Sequence, residues 1–159
     1  MSVPVYIDVR KPFPFGDYVA ETSPQHGYQL TRSVMIDLGT TAFHGLKGEG
    51  FRVAGCHLRA DQGVWWNGSN VVPDRPSCLL ASFVHDMLCE GIHHKRGITA
   101  WRRFSLRRDA DLLYARVCRW QGMWTGLALI RFIGLRLATP WVVLKSNREK
   151  TPEGTHCNA

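Results

Sequence analysis

Apolar and polar positions alternate in short runs over roughly the first sixty residues, and from residue 77 onward they recur every three or four. Alternation marks a half-buried strand, and the longer period marks an amphipathic helix. Residues 3–9 (VPVYIDV), 28–38 (YQLTRSVMIDL) and 50–58 (GFRVAGCHL) therefore predict three strands. Between the first two lies PFPFGDY (12–18), where two prolines and a glycine predict a rigid turn. DQGVWWNGSNVVPDRP (61–76) predicts a loop displaying Trp65 and Trp66.

Three helices should follow. SCLLASFVHDMLCEGI begins at Ser77 and should run to about Glu90, with Gly91 as its stop. Ser105 is placed to cap LRRDADLLYARVCRWQ, and Gly122 to break it. A third helix should span residues 123–138 and end at Thr139-Pro140. Strands first and helices after predict an α+β fold, with N-terminal antiparallel strands and loops followed by a three-helix C-terminal half. A chain of 159 residues fits one domain, taken as 1–145, with a polar, flexible tail at 146–159.

Helical spacing sorts the first helix into two faces. Leu79, Leu80, Phe83, Val84, Met87 and Leu88 share an apolar side, and Ser82, His85, Asp86 and Cys89 the other. Cysteine and histidine are unusual on a solvated face, so that stripe has the composition of a site wall. On the second helix Leu106, Ala110, Leu113, Val117 and Trp120 form the apolar stripe, with Asp111, Tyr114 and Cys118 at its edge. A carboxylate there needs a partner if buried, and His85 on an antiparallel neighbour would supply one.

Three roles suit such a cluster. His85 could act as general base with Asp111 orienting it, supported by Ser82 and Tyr114. Asp86 could hold a divalent cation, calcium being the candidate. Or the cluster could be a polar network that joins two helices and does no chemistry.

Charge adds a second surface. The formal net charge is +7, and the basic residues concentrate at Lys95, Arg96, Arg102, Arg103, Arg107 and Arg108, beside His93 and His94. That favours nucleic acid, anionic lipid or acidic partners. Trp65 and Trp66 could add a stacking or partner-touching tip. Five cysteines, an odd number without C-x-x-C, argue against a disulfide framework and a common zinc knuckle. The N-terminus lacks a signal-peptide core, so synthesis in a reducing cytoplasm is expected. Residues 123–144 are apolar but interrupted by Arg131, Arg136 and Pro140, so no transmembrane span is expected.

FVHDMLCEG followed by LRRDADLLYARV resembles a domain family of unknown function found in phages and prophages. Its members carry a His-Asp-x-Leu-Tyr helix motif, then a helix opening on a Ser-Arg-x-x-Ala-Asp pattern. His85, Asp86 and Leu88 match the first motif, with Cys89 in place of tyrosine. Arg107, Ala110 and Asp111 match the second, with Leu106 in place of serine, and Gly134 matches a late glycine. The resemblance covers roughly residues 75–138. It implies a phage-type protein, made in the host cytoplasm and incorporated in the virion, with other virion proteins as partners. GFRVAGCHLRAD only loosely follows the family's upstream pattern.

The constellation is also similar to that of phospholipase A2, where a helical His is the base, the adjacent Asp binds calcium and an Asp on an antiparallel helix orients the His. His85, Asp86 and Asp111 would take those places. Gly63 and Gly68 would have to supply the calcium loop, but GVWWNGSN does not match it and the dense disulfides are absent. Metal phosphohydrolases with a His-Asp pair are a third likeness, in which His44 or His57 would be recruited. Two functions are therefore expected as alternatives: a virion- or tail-associated structural or accessory component, or an ester hydrolase built on His85 and Asp111.

Overall fold

A computed structural model describes residues 3–22, 27–66 and 76–148, the side chains of 138–148 excepted. Among the described residues the chain forms β1 (Val5–Asp8), β2 (Val19–Thr22), β3 (Gly27–Leu30), β4 (Val34–Asp37), β5 (Lys47–Gly48), β6 (Phe51–Ala54), β7 (His57–Ala60) and β8 (Trp65–Trp66). The helices α1 (Pro76–His94), α2 (Ala100–Trp120) and α3 (Thr125–Arg148) follow. Strands then helices is the α+β order that the residue pattern predicts.

The strands divide into two sheets, one in the order β1-β4-β7-β6-β5 and one in the order β2-β3-β8. The run 28–38, read as one strand, is broken at Thr31-Arg32-Ser33 and contributes β3 to one sheet and β4 to the other. β1 pairs with β4 in parallel, Val5 opposite Val34 and Asp8 opposite Asp37. A parallel pair needs a long crossover, and the chain between them supplies it by passing through β2 and β3. The other pairs are antiparallel. The third predicted strand is a hairpin, β6 turning into β7 through Gly55 and Cys56. Gly55 sits at φ 61°, a left-handed conformation that glycine adopts without a Cβ clash.

Alternation decides what each sheet face meets. Ile7, Ile36, Val34, Leu58, Ala60, Phe51 and Val53 are buried, while Tyr6, Arg52 and Arg59 are exposed on the opposite face. α1 is apolar nearly all round because it is central. Phe83 meets Phe15 and Trp66, with ring centroids 5.4 and 4.8 Å apart, while the other side of α1 packs on α2. Burying a side chain such as Phe83 contributes about 1.5–3 kcal/mol.

Three helix ends differ from expectation. Gly91 does not stop α1, which continues to His94. A Cβ at Gly91 would meet the Leu46 Cβ at 3.0 Å, so this glycine serves the close approach of α1 to β5 rather than a turn. α2 starts at Ala100, where the Thr99 hydroxyl accepts the Arg102 N–H at 3.1 Å, and Ser105 lies inside the helix. α3 runs through Pro140 to Arg148, taking in residues 146–148 of the expected tail. Proline withholds one backbone donor, and here the helix continues past it. Residues 149–159 lie outside the described part. Gly122, at φ 91°, makes the turn from α2 to α3.

The Gln121 side chain, just past α2, ties the two halves together. It accepts the Phe13 N–H at 2.9 Å and donates to the carbonyls of Lys11 and Val9 at 2.8 and 3.3 Å.

Candidate functional site

α1 and α2 form an antiparallel hairpin closed by residues 95–99, and α2 and α3 form another. As the partner's number rises on one helix it falls on the next: His85 faces Asp111, Ile92 faces Arg103, Tyr114 faces Arg131 and Asp111 faces Arg136. Helical phase therefore brings His85, Asp111 and Arg136 together across three helices.

His85 Nε2 lies 2.9 Å from Asp111 Oδ1, and Nδ1 lies 3.5 Å from Asp86 Oδ1. The Cys89 sulfur is 3.5 Å from Nε2, one helical turn away. The Tyr114 ring meets the imidazole edge-on, with centroids 5.6 Å apart. Asp111 Oδ2 accepts from Arg136 Nη1 at 3.3 Å, and that guanidinium lies 4.7 Å above the Phe104 ring. Asp111 is 1% exposed. A carboxylate buried that deeply is tolerable because Arg136 meets one of its oxygens and His85 the other.

Burial opposes a charge on His85 more than any other single influence. Cys89, Asp111 and Asp86 together outweigh it and hold His85 well above the ordinary imidazole range. The contacts around His85 thus favour the protonated form over the neutral one. Arg136 and His85 meet the two oxygens of Asp111, and Asp86 lies on the other nitrogen of His85. Burial pushes the Tyr114 hydroxyl up to about 12, with the Cys118 sulfur adding to the rise and Arg131 opposing it. Tyr114 stays a neutral phenol, and its oxygen accepts from Arg131 Nη1 at 2.8 Å.

The remaining expected site residues fall in different places. Ser82 is buried, and its hydroxyl donates to the Leu79 carbonyl of its own helix at 3.0 Å rather than to His85. Helical spacing put it on the stripe, but a serine can turn back onto the preceding turn. Asp86 is half-buried, with Oδ1 3.5 Å from His85 Nδ1. Among the described residues, Asp37, Cys56 and His57 are the group of three ligand-type side chains close enough to share an ion.

The basic surface is smaller than its sequence suggests. Arg103 is buried, not displayed, and donates to the carbonyls of Ile92, His93 and Lys95. Those carbonyls lie at and just past the end of α1, so Arg103 caps it. Lys95 and Arg96 line an open cleft of about 680 Å³ with Lys47, His94, Glu49 and Glu90. Arg102 is exposed beside the start of α2. The tryptophan pair is split, because adjacent residues of a strand face opposite ways. Trp66 is buried against Phe15, Tyr28 and Phe83. Trp65 is 46% exposed and donates its indole N–H to Thr22 at 3.2 Å. Gly68, expected in a calcium loop, lies outside the described residues.

Fold and site together define an α+β protein whose three helices are joined by a buried His-Asp-Arg cluster. Comparison with family models, curated proteins and solved structures returns no match. Among the described residues no helix is long and apolar enough to cross a membrane. The sequence did not single out the capping role of Arg103. The available signal was its place one turn after Thr99, opposite the end of a preceding helix.

Proposed function

We propose that this is a non-enzymatic, phage-type assembly component, virion- or tail-associated, that works by pairing through α3 with a second copy of itself. The carrying observation is the outer face of that helix. Leu129, Ile130, Ile133 and Leu137 are 55, 65, 48 and 71% exposed, and Trp124, the residue before the helix, is 76% exposed. Ile130, Ile133 and Leu137 recur at steps of three and four, the spacing of a helix-pairing seam. The face carries no charge over residues 125–137. Arg131 is buried, and Arg136 turns onto Asp111 and Phe104. A lipid-bound helix would keep cations beside its apolar face, and a second identical face meets this one without repulsion. These side chains offer at most on the order of 600 Å² per copy, so a pair would bury up to roughly 1,200 Å², at the lower edge of the range of stable interfaces.

The buried cluster fits this reading as the lock that fixes α3 on α2. The phage assignment rests on the resemblance of the His85 and Asp111 helices. Lys95, Arg96 and Arg102 offer acidic partners or nucleic acid a second contact. The alternative, ester hydrolysis with His85 as base and Asp86 holding calcium, is supported by the His85–Asp111 contact. It needs a neutral imidazole, which the surrounding carboxylates disfavour.

Light scattering on the size-exclusion peak of the full chain tests the pairing. A dimer is expected, with Ile130→Glu and Leu137→Glu giving folded monomers. A monomeric wild type at ~100 µM would overturn it, since the proposed interface is of dimer size. Recovery of the protein in purified phage particles tests the virion assignment.

A further inference from the structure

We propose that Asp37, Cys56 and His57 form a binding site for a zinc-class divalent transition-metal ion on the solvent face of the five-stranded sheet. The site is distant in sequence from the helix cluster and is made by strand register. Asp37 ends β4 and His57 begins β7, directly opposite it. Cys56 occupies the turn that leads into β7. A hydrogen bond from the Leu38 N–H to the Cys56 carbonyl, 2.9 Å, holds that turn beside Asp37. A carboxylate oxygen, a sulfur and an imidazole nitrogen thereby lie within 4.8 Å of one another.

Spacing and chemistry agree with one ion. Zinc bonds of about 2.3 Å to sulfur and 2.0–2.1 Å to nitrogen, at a tetrahedral angle, put those two atoms roughly 3.6 Å apart. Cys56 Sγ and His57 Nδ1 are 3.5 Å apart. A set of oxygen, nitrogen and sulfur donors selects zinc or cobalt, whereas calcium and magnesium take oxygen cages. Three protein ligands leave a fourth position for water.

Outer contacts orient the carboxylate. Asp37 Oδ1 accepts the Gly39 N–H at 2.8 Å, while Oδ2 accepts from Arg10 Nη2 at 3.2 Å and Tyr6 at 3.4 Å. Each oxygen has lone pairs enough to bind an ion as well. The Arg10 charge is answered separately by Asp8, through contacts of 2.7 and 3.1 Å. Binding converts the Cys56 thiol to a metal-bound thiolate and releases its proton to solvent.

The experiment is titration of the reduced, chelator-treated full chain with Co²⁺, followed by absorbance. The expected result is one ion per chain, a near-ultraviolet thiolate-to-cobalt charge-transfer band, visible bands of a tetrahedral ion, and displacement by Zn²⁺. Cys56→Ser should remove the charge-transfer band, His57→Ala should weaken binding at least roughly tenfold, and Cys89→Ser should change neither. A band that survives Cys56→Ser, a band lost in Cys89→Ser, or no saturable binding would overturn the site. A second readout needs no variant: one equivalent of Zn²⁺ should protect Cys56 of the wild-type chain from alkylation, mapped by mass spectrometry. Undiminished labelling of Cys56 would also overturn it.

Discussion

Arg136 on α3 reaches Asp111 on α2 at 3.3 Å, on the carboxylate oxygen that His85 leaves unused. One buried carboxylate thus contacts a basic side chain from each flanking helix, and its removal takes a hydrogen-bond partner from both. Asp111→Ala should destabilise the protein by about 3–5 kcal/mol. Urea unfolding followed by circular dichroism measures this. A loss below about 1 kcal/mol, the size of a surface ion pair, would deny the cluster its locking role.

The same contacts set a pH dependence. The folded-state pKa of His85 lies above its unfolded value of about 6.5. The native state therefore binds the extra proton, and the stability it contributes is complete below about pH 6.5. That contribution falls as pH rises through the higher folded-state value, with a slope of at most about 1.4 kcal/mol per pH unit. Unfolding free energies measured from pH 6 to 9 should decline in the wild type and flatten in His85→Asn. Equal slopes in the two proteins would show that His85 is not held as the cation.

Arg103 and Arg102 are neighbours in a basic run with opposite fates. Arg103→Ala uncovers carbonyls at the end of α1 and should cost about 2–3 kcal/mol, with faster amide exchange across the last turn of α1 and the loop behind it. Arg102→Ala should stay within about 0.5 kcal/mol, as exposed substitutions do. Thermal melts and hydrogen exchange of the two variants distinguish them. Equal melting temperatures would remove the capping role.

The two tryptophans separate in the same way. Trp66→Ala opens the contact between Phe15, Tyr28 and Phe83 and should cost about 3–5 kcal/mol. Trp65→Ala loses a half-exposed ring and one hydrogen bond, about 1 kcal/mol. Urea midpoints measure both, and equal losses would contradict the split of the pair between core and surface.

How much of this was legible in the sequence follows from the range of each interaction. The facing of His85 and Asp111 could be read because both lie on helices, where angular position is fixed by residue number. Burial of Arg103 could not, because it depends on where α2 begins. With Ser105 taken as the cap, Arg103 falls in a loop; with Thr99 as the cap it falls in the first turn, against the end of α1. The break at residues 31–33 was hidden for a related reason. Both flanking runs alternate correctly, and only tertiary pairing sends them to different sheets. Asp37, Cys56 and His57 escape a motif search because strand register, not spacing, unites them.

The side-chain amide of Gln121 grips the backbone on either side of Pro12, more than a hundred positions back. During synthesis that grip cannot exist until α2 has left the ribosome. β1 must likewise wait for its parallel neighbour β4. The segment around Pro12 is thus secured from a position more than a hundred residues later, whereas β1, at the edge of its sheet, pairs with β4 alone. The contacts of Gln121 with Lys11 and Phe13 close a loop of long sequence separation, the kind of contact that slows folding.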